Sequence, residues 1–181
     1  MLLASCSKAM DGMDTETGVK DITLSVVNYQ QYGFDEITRA GADVLDHLSM
    51  AIFNATTGEV VGTLTTQNKG EEGYGTFRTT LPYGSYQLVI VGYNGTKLCN
   101  TLTPGKVAFE DAAVPMTFYC NKLLTVSDET PTTQPITINR AVTAFVLNIK
   151  DAVPANVASF HFVAMSGGCS FNPQTGFTEE T

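Results

Sequence analysis

From Asp21 onward, apolar and polar residues alternate with a period of two between clusters of Gly, Pro and Asn, and no long stretch keeps a helical period. The pattern predicts an all-β chain. Its first strand is Ile22 to Val27, with Ile22, Leu24 and Val26 on one face and Thr23 and Ser25 on the other. After a loop through Asp43 come Leu48 to Phe53, a turn over Asn54 to Gly58, and a return strand from Val60 to Thr66, which reads as a hairpin with a longer loop. Asn68 to Tyr74 form a Gly- and charge-rich loop. Thr76 to Leu81 then lead through Pro82-Tyr83-Gly84-Ser85 into Tyr86 to Tyr93. Pro82 presets φ at the first turn corner and Gly84 can take a positive φ at the second, so a tight reversal between two strands is expected there. The unbroken apolar run Leu88 to Val91 predicts a strand covered on both faces, near the centre of the fold.

Further strands are expected at Met116 to Val126, Ile136 to Ile149 and Ala158 to Met165. The Thr- and Pro-rich stretch Asp128 to Pro135 and the segment Asp151-Ala152-Val153-Pro154 separate them. Ile136 to Ile149 is too long for one flat strand, so a bulge or bend is expected around Asn139-Arg140. Seven or eight strands at this spacing fit a Greek-key β-sandwich over residues 21–166. Residues 1–20 read as a leader remnant with a tether, and residues 167–181 as the start of a continuation cut short.

Composition narrows the partners. Of 181 residues only 15% are charged, below the roughly 25% of ordinary domains, with Thr, Ser, Asn, Gln and Gly in their place. The net charge of -8, with 10 Lys and Arg in all, excludes nucleic acid, whose phosphates require clustered cations. An acidic surface is also repelled by anionic lipid headgroups, so membrane attachment has to be covalent or apolar.

The start of the chain offers a covalent route. Leu3-Ala4-Ser5-Cys6 matches the bacterial lipobox, in which a large aliphatic residue and two small ones precede a cysteine that takes a diacylglycerol. Residues 7–20 are polar and Gly-containing without an apolar period, as a flexible tether would be. Cys6 is therefore the expected lipidation site, and the bacterial outer membrane the expected location. Cys99, Cys120 and Cys169 remain, without zinc-finger spacing. Cys99 and Cys120 either close a disulfide loop, worth up to ~3 kcal/mol, or stay as two buried thiols.

No catalytic residue and no metal site is expected. His47 and His161 are far apart and read as one solvent-facing side chain per strand. The carboxylate pairs Asp35-Glu36, Glu71-Glu72, Glu110-Asp111, Asp128-Glu129 and Glu179-Glu180 all fall in polar loops, and no Asp-x-Asp-x-Asp-Gly spacing supports calcium. Asn54-Ala55-Thr56 and Asn94-Gly95-Thr96 are formal glycosylation sequons that mean little in a bacterium. With no Trp in the chain, large aromatic contacts to a sugar would come from Tyr83, Tyr86 and Tyr93.

Three segments carry a family likeness: Leu48 to Asn54; Leu81-Pro82-Tyr83-Gly84-Ser85-Tyr86 to Val89; and Ile136 to Phe145, containing Asn139-Arg140-Ala141, with Asp151 to Pro154. In order and spacing they resemble the fimbrillin-associated anchor lipoproteins of Bacteroidales (FimB and minor-fimbrium anchor type). The resemblance covers roughly Cys6 to Met165. It implies transthyretin-like sandwich domains, two in the family and one seen here, and an outer-membrane lipid anchor. It further implies a role in fixing a fimbrium to the cell, with the shaft subunit held by β-strand addition. The competing expectation is a stand-alone surface adhesin or glycan-binding module, and a hydrolase is the weakest alternative. No cofactor is expected.

Overall fold

The computed structural model describes residues 18–30, 45–110, 114–142, 150, 152, 154, 156–161 and 168–179. Among them lie β1 (Val19–Gln30), β2 (His47–Asn54), β3 (Thr65–Asn68), β4 (Thr76–Pro82), β5 (Gly84–Tyr93), β6 (Cys99–Leu102), β7 (Val107–Phe109), β8 (Thr117–Val126), β9 (Thr133–Arg140), β10 (Ser170–Phe171) and β11 (Thr178–Glu179). Seven form one sheet in the order β3-β2-β5-β8-β9-β1-β4, and four form a second in the order β11-β10-β7-β6. The chain is all-β with a sandwich-like build, as the alternation predicts.

The large sheet curls over its own apolar face. Ile22 and Leu24 of β1, Phe77 and Leu81 of β4, Ile136 and Ile138 of β9, and residues of β2, β5 and β8 share one buried cluster. The other face of β2 and β5 is covered by the second sheet: Ala51, Phe53, Val89, Val91 and Tyr93 pack with Cys99, Leu102, Val107, Phe109 and Phe171. Strand β5 lies between the two cores. Leu88 and Ile90 enter the first and Val89 and Val91 the second, each with 0% exposure. That is the doubly covered strand its apolar run predicts, and full burial of such side chains contributes about 1.5–3 kcal/mol each.

Strand β1 pairs with β4 antiparallel and with β9 in parallel, and a register shift between Val26 and Asn28 leaves Val27 exposed. The two ends of the large sheet approach each other where Gln67 of β3 reaches β4. Its Nε2 donates to the Thr76 carbonyl at 2.8 Å, and its Oε1 accepts from the Gly75 N–H at 2.9 Å. One side-chain amide thus mimics a rung of the ladder and joins the two edges.

Several expectations are corrected. Thr76–Pro82 and Gly84–Tyr93 are not hairpin partners: β4 pairs with β1, whereas β5 pairs with β2 and β8. Gly84 is almost extended, with φ 158°. The Pro-Tyr-Gly segment is therefore a corner at which the chain passes from an edge of the curled sheet to its middle. Tyr86 braces it from the core, donating its hydroxyl proton to the Pro82 carbonyl at 2.8 Å. The return strand expected from Val60 to Thr66 is reduced to a single bridge, Phe53 with Val60, before β3 begins at Thr65. Gly62 interrupts it with φ 83°, a left-handed value that a strand cannot accommodate.

Strand β9 starts at Thr133, within the expected Thr-Pro spacer, and ends at Arg140; residues 143–149 of the long expected strand lie outside the described residues. Residues 158–161 are not strand. Val157 N–H turns back to the Pro154 carbonyl at 3.0 Å and Phe160 is 51% exposed, while residues 162–165 of the expected strand lie outside the described residues. Near the end, β10 pairs with β7 and buries Phe171 completely in the second core.

Candidate functional site

Among the described residues, the seam between β3 and β4 carries a surface depression flanked by a braced loop. Loop 69–75 connects these strands and is shaped from within by Glu71. Its carboxylate accepts from the Asn68 backbone N–H at 2.8 Å and from Asn68 Nδ2 at 2.7 Å. These two bonds, with the charge of His47 as a lesser cause, hold the Glu71 carboxyl below the usual carboxylate range. The Tyr74 hydroxyl donates to the Leu45 carbonyl at 2.6 Å, tying the far side of the loop to the core. Thr76 N–H closes the turn on the Gly73 carbonyl at 2.9 Å.

Beside this pinned loop lies an open cleft of about 460 Å³ lined by Glu72, Gly73, Thr76 and Arg78. Glu72 and Arg78 are exposed. The cleft therefore offers a carboxylate acceptor, a guanidinium with a planar fork of N–H donors, and a hydroxyl that does both. Such a set matches neighbouring hydroxyl groups, each of which donates once and accepts. Arg78 belongs to β4, the last strand in its sheet order, and exposed Thr80 and Pro82 follow it along the same edge.

The same pole of the molecule carries His47. Its ring lies 5.0 Å from that of Tyr93, with Nδ1 2.8 Å from Asn68 Oδ1 and Nε2 2.9 Å from the Gly95 carbonyl. His161 is exposed and meets Ser159 Oγ at 3.1 Å. The two histidines do not come together. Among the described residues, no group of three His, Cys, Asp or Glu side chains is placed to hold a metal ion.

Of the tyrosines expected to offer aromatic contact, Tyr93 has 0% exposure and Tyr86 5%. Both are core residues, which removes them as ligand platforms. Tyr83 is half-buried, with its hydroxyl 3.3 Å from Asp128 Oδ1. The thiols of Cys99 and Cys120 are free and buried, and they enter opposite cores of the large sheet. The disulfide considered from their spacing is therefore absent. Burial pushes the Cys99 thiol up to about 11 and also raises that of Cys120.

Pro82, Gly84 and Tyr86 form the corner between β4 and β5. Asn139 and Arg140 end β9, opposite Tyr119 and Phe118, and Ala141 follows them, its N–H donating to the Thr117 carbonyl at 2.9 Å. Both motifs hold the framework rather than line the cleft. Cys6 lies outside the described residues, as do Asp35-Glu36, Asp111 and Glu180. Sequence reading missed the cleft because it assigned Glu71-Glu72 to solvated loop charge and Arg78 to an ordinary strand. The Gly-rich loop beside a strand bearing the opposite charge was the available signal.

No family model matches the chain, and no curated protein does. Among solved structures, it is similar to a candidate adhesin of Bacteroides ovatus, at 14% identity and a TM-score of 0.45, covering 78% of this chain and 50% of that one. It is also similar to candidate polysaccharide-binding proteins of Bacteroides thetaiotaomicron, at 16% identity and a TM-score of 0.46, covering 67% of this chain and 46% of that one. The chain thus spans about half the length of the structures it matches.

Proposed function

We propose that this chain is a non-catalytic adhesion module of a bacterial cell surface, which binds a neutral, hydroxyl-rich glycan in the cleft beside β4. The observation that carries the reading is the polarity of the fold around that cleft. Residue 19, where β1 begins, pairs with Pro82, and Ser25 pairs with Thr76. The N-terminal segment therefore enters at the Pro82 end of β4, while the cleft lies at the Thr76 end, ~20 Å away by strand rise. A tether lipidated at Cys6 would leave the cleft on the side facing away from the membrane. Glu72 and Arg78 bring one charge of each sign to the cleft, which suits an uncharged ligand with many hydroxyls.

The test is binding of the full chain to a panel of bacterial and host polysaccharides, by array and then calorimetry. Wild type should bind at least one neutral glycan. Arg78→Ala should weaken that binding about tenfold or more, the loss expected from a hydrogen bond to a charged group. Silence across the panel, or equal binding by the variant, overturns the reading.

A second reading, anchorage of a fimbrial shaft subunit by β-strand addition, is favoured by a different observation: β4 is the last strand in its sheet order, and beyond the Gln67 contact at Thr76 its Arg78, Thr80 and Pro82 are exposed. Pull-down of a pilin that competes with a β4-directed peptide, together with glycan silence, would establish this reading in place of the first.

A further inference from the structure

Asn94-Gly95 is the single Asn-Gly step in the sequence, and it sits where the chain leaves the central strand β5. An asparagine followed by glycine is chemically exposed, because no Cβ on the glycine shields its backbone nitrogen. That nitrogen, on losing its proton, attacks Asn94 Cγ. A Cγ–N bond forms, the Cγ–Nδ2 bond breaks, and ammonia leaves with the proton. Water then opens the resulting succinimide to aspartate or isoaspartate. The reaction needs a free Gly95 N–H and an Asn94 side chain able to swing towards it.

Both requirements are blocked here by one residue. The Asp46 carboxylate accepts the Gly95 N–H at 2.9 Å, and the Asp46 backbone N–H donates to Asn94 Oδ1 at 3.1 Å. Asp46 is itself fixed, since its N–H also reaches the Tyr93 carbonyl at 3.1 Å. On the other side, the Asn94 backbone N–H donates to the Met116 carbonyl at 3.2 Å, and the Gly95 carbonyl faces His47 Nε2. The negative charge of Asp46 next to the Gly95 amide opposes loss of its proton, and the hydrogen bond to Oδ1 holds Cγ in place.

We infer that Asn94-Gly95 is a latent self-modification site, kept intact in the folded protein by Asp46. Conversion would place a second carboxylate against Asp46, and the isoaspartyl product would add a backbone carbon at the exit of β5. Like-charge repulsion would then loosen the end of the molecule that also carries His47 and Asn68.

The test follows conversion of residue 94 by peptide mass spectrometry during incubation at neutral pH and body temperature. Four samples are compared: native wild type, wild type unfolded in urea, native Asp46→Ala and native Asp46→Asn. Circular dichroism establishes that the variants are folded. Native wild type should convert about tenfold or more slowly than the unfolded chain, the effect of one charge-assisted hydrogen bond. Folded Asp46→Ala, which loses the carboxylate on Gly95 N–H but keeps the backbone N–H on Asn94 Oδ1, should convert several-fold faster than native wild type yet more slowly than the unfolded chain, and Asp46→Asn, which keeps an oxygen acceptor without the charge, should fall between it and wild type. Equal rates for native and unfolded wild type overturn the inference, whether or not the variants fold. An unchanged rate in folded Asp46→Ala overturns it as well.

Discussion

Gly92→Ala should destabilise the protein although it adds a single methyl group to a strand. Gly92 pairs with Leu48 on one side and Phe118 on the other, in the middle of the sheet. A Cβ on this residue would overlap Leu45 Cδ1, and would stand 2.9 Å from Leu48 Cδ2 and 3.2 Å from Ile138 Cδ1. Leu45, Leu48 and Ile138 all have 0% exposure, so none has solvent to move into. Overpacking of this kind costs about 1–3 kcal/mol. Alanine also narrows the unfolded ensemble, which contributes about 0.4–1 kcal/mol in the other direction.

The clash wins, and the net loss is about 1–2 kcal/mol. Urea unfolding should show a lower midpoint at unchanged slope, and the melting temperature should fall by roughly 2–8 °C for a chain of this size. Leu45→Ala, which alone costs about 2–5 kcal/mol, should cost less in the Gly92→Ala background, because it opens the space the new methyl needs. A stability equal to or above wild type, or strictly additive effects of the two substitutions, would refute this picture of the first core.

Further consequences can be measured directly. Tyr93→Phe keeps the ring against Phe109 but removes the oxygen that accepts the Cys99 N–H at 3.2 Å and faces Ser49 Oγ at 3.4 Å, so stability by urea unfolding should drop by about 1–3 kcal/mol. The Cys99 thiol is raised from its ordinary 9.0 to about 11, so the unfolded chain ionises first as pH climbs. This group's contribution is complete below pH 9 and shrinks by about 3 kcal/mol towards pH 11, a loss that Cys99→Ser should abolish in pH-dependent unfolding. Timed alkylation read by mass spectrometry should modify half-exposed Cys169 well before Cys99 and Cys120, with the difference vanishing in urea.

The parts of the fold read correctly from sequence are those in which neighbouring residues decide the outcome. Alternation in Ile22, Leu24 and Val26 gives the buried face of β1, and the run Leu88 to Val91 gives a strand between two cores. Pairing partners are a different matter. Pro82 and Gly84 shape the chain locally, yet whether β4 pairs with β5 or β1 depends on burial contributed by residues far away in sequence. The closing of the sheet at Gln67 was illegible for the same reason, since an amide in a polar strand carries no mark of the edge it will join.

The burial of the tyrosines is written in their parity along β5. Tyr86 shares the parity of Leu88 and Ile90, and Tyr93 that of Val89 and Val91, so each belongs with a core face of β5. The cleft needed the fold itself. Glu72 and Arg78 read as scattered surface charge until the turn between β3 and β4 brings them to one depression.

Binding of a glycan at the Thr76 end of β4, away from where the N-terminal segment enters β1, can be mapped by hydrogen exchange with and without the bound glycan. That placement predicts slowed exchange in loop 69–75 and at Thr76 to Arg78, with no change at the Pro82–Gly84 corner or in the buried amides of β5. Protection centred on that corner or on the second sheet, with loop 69–75 unaffected, would contradict it.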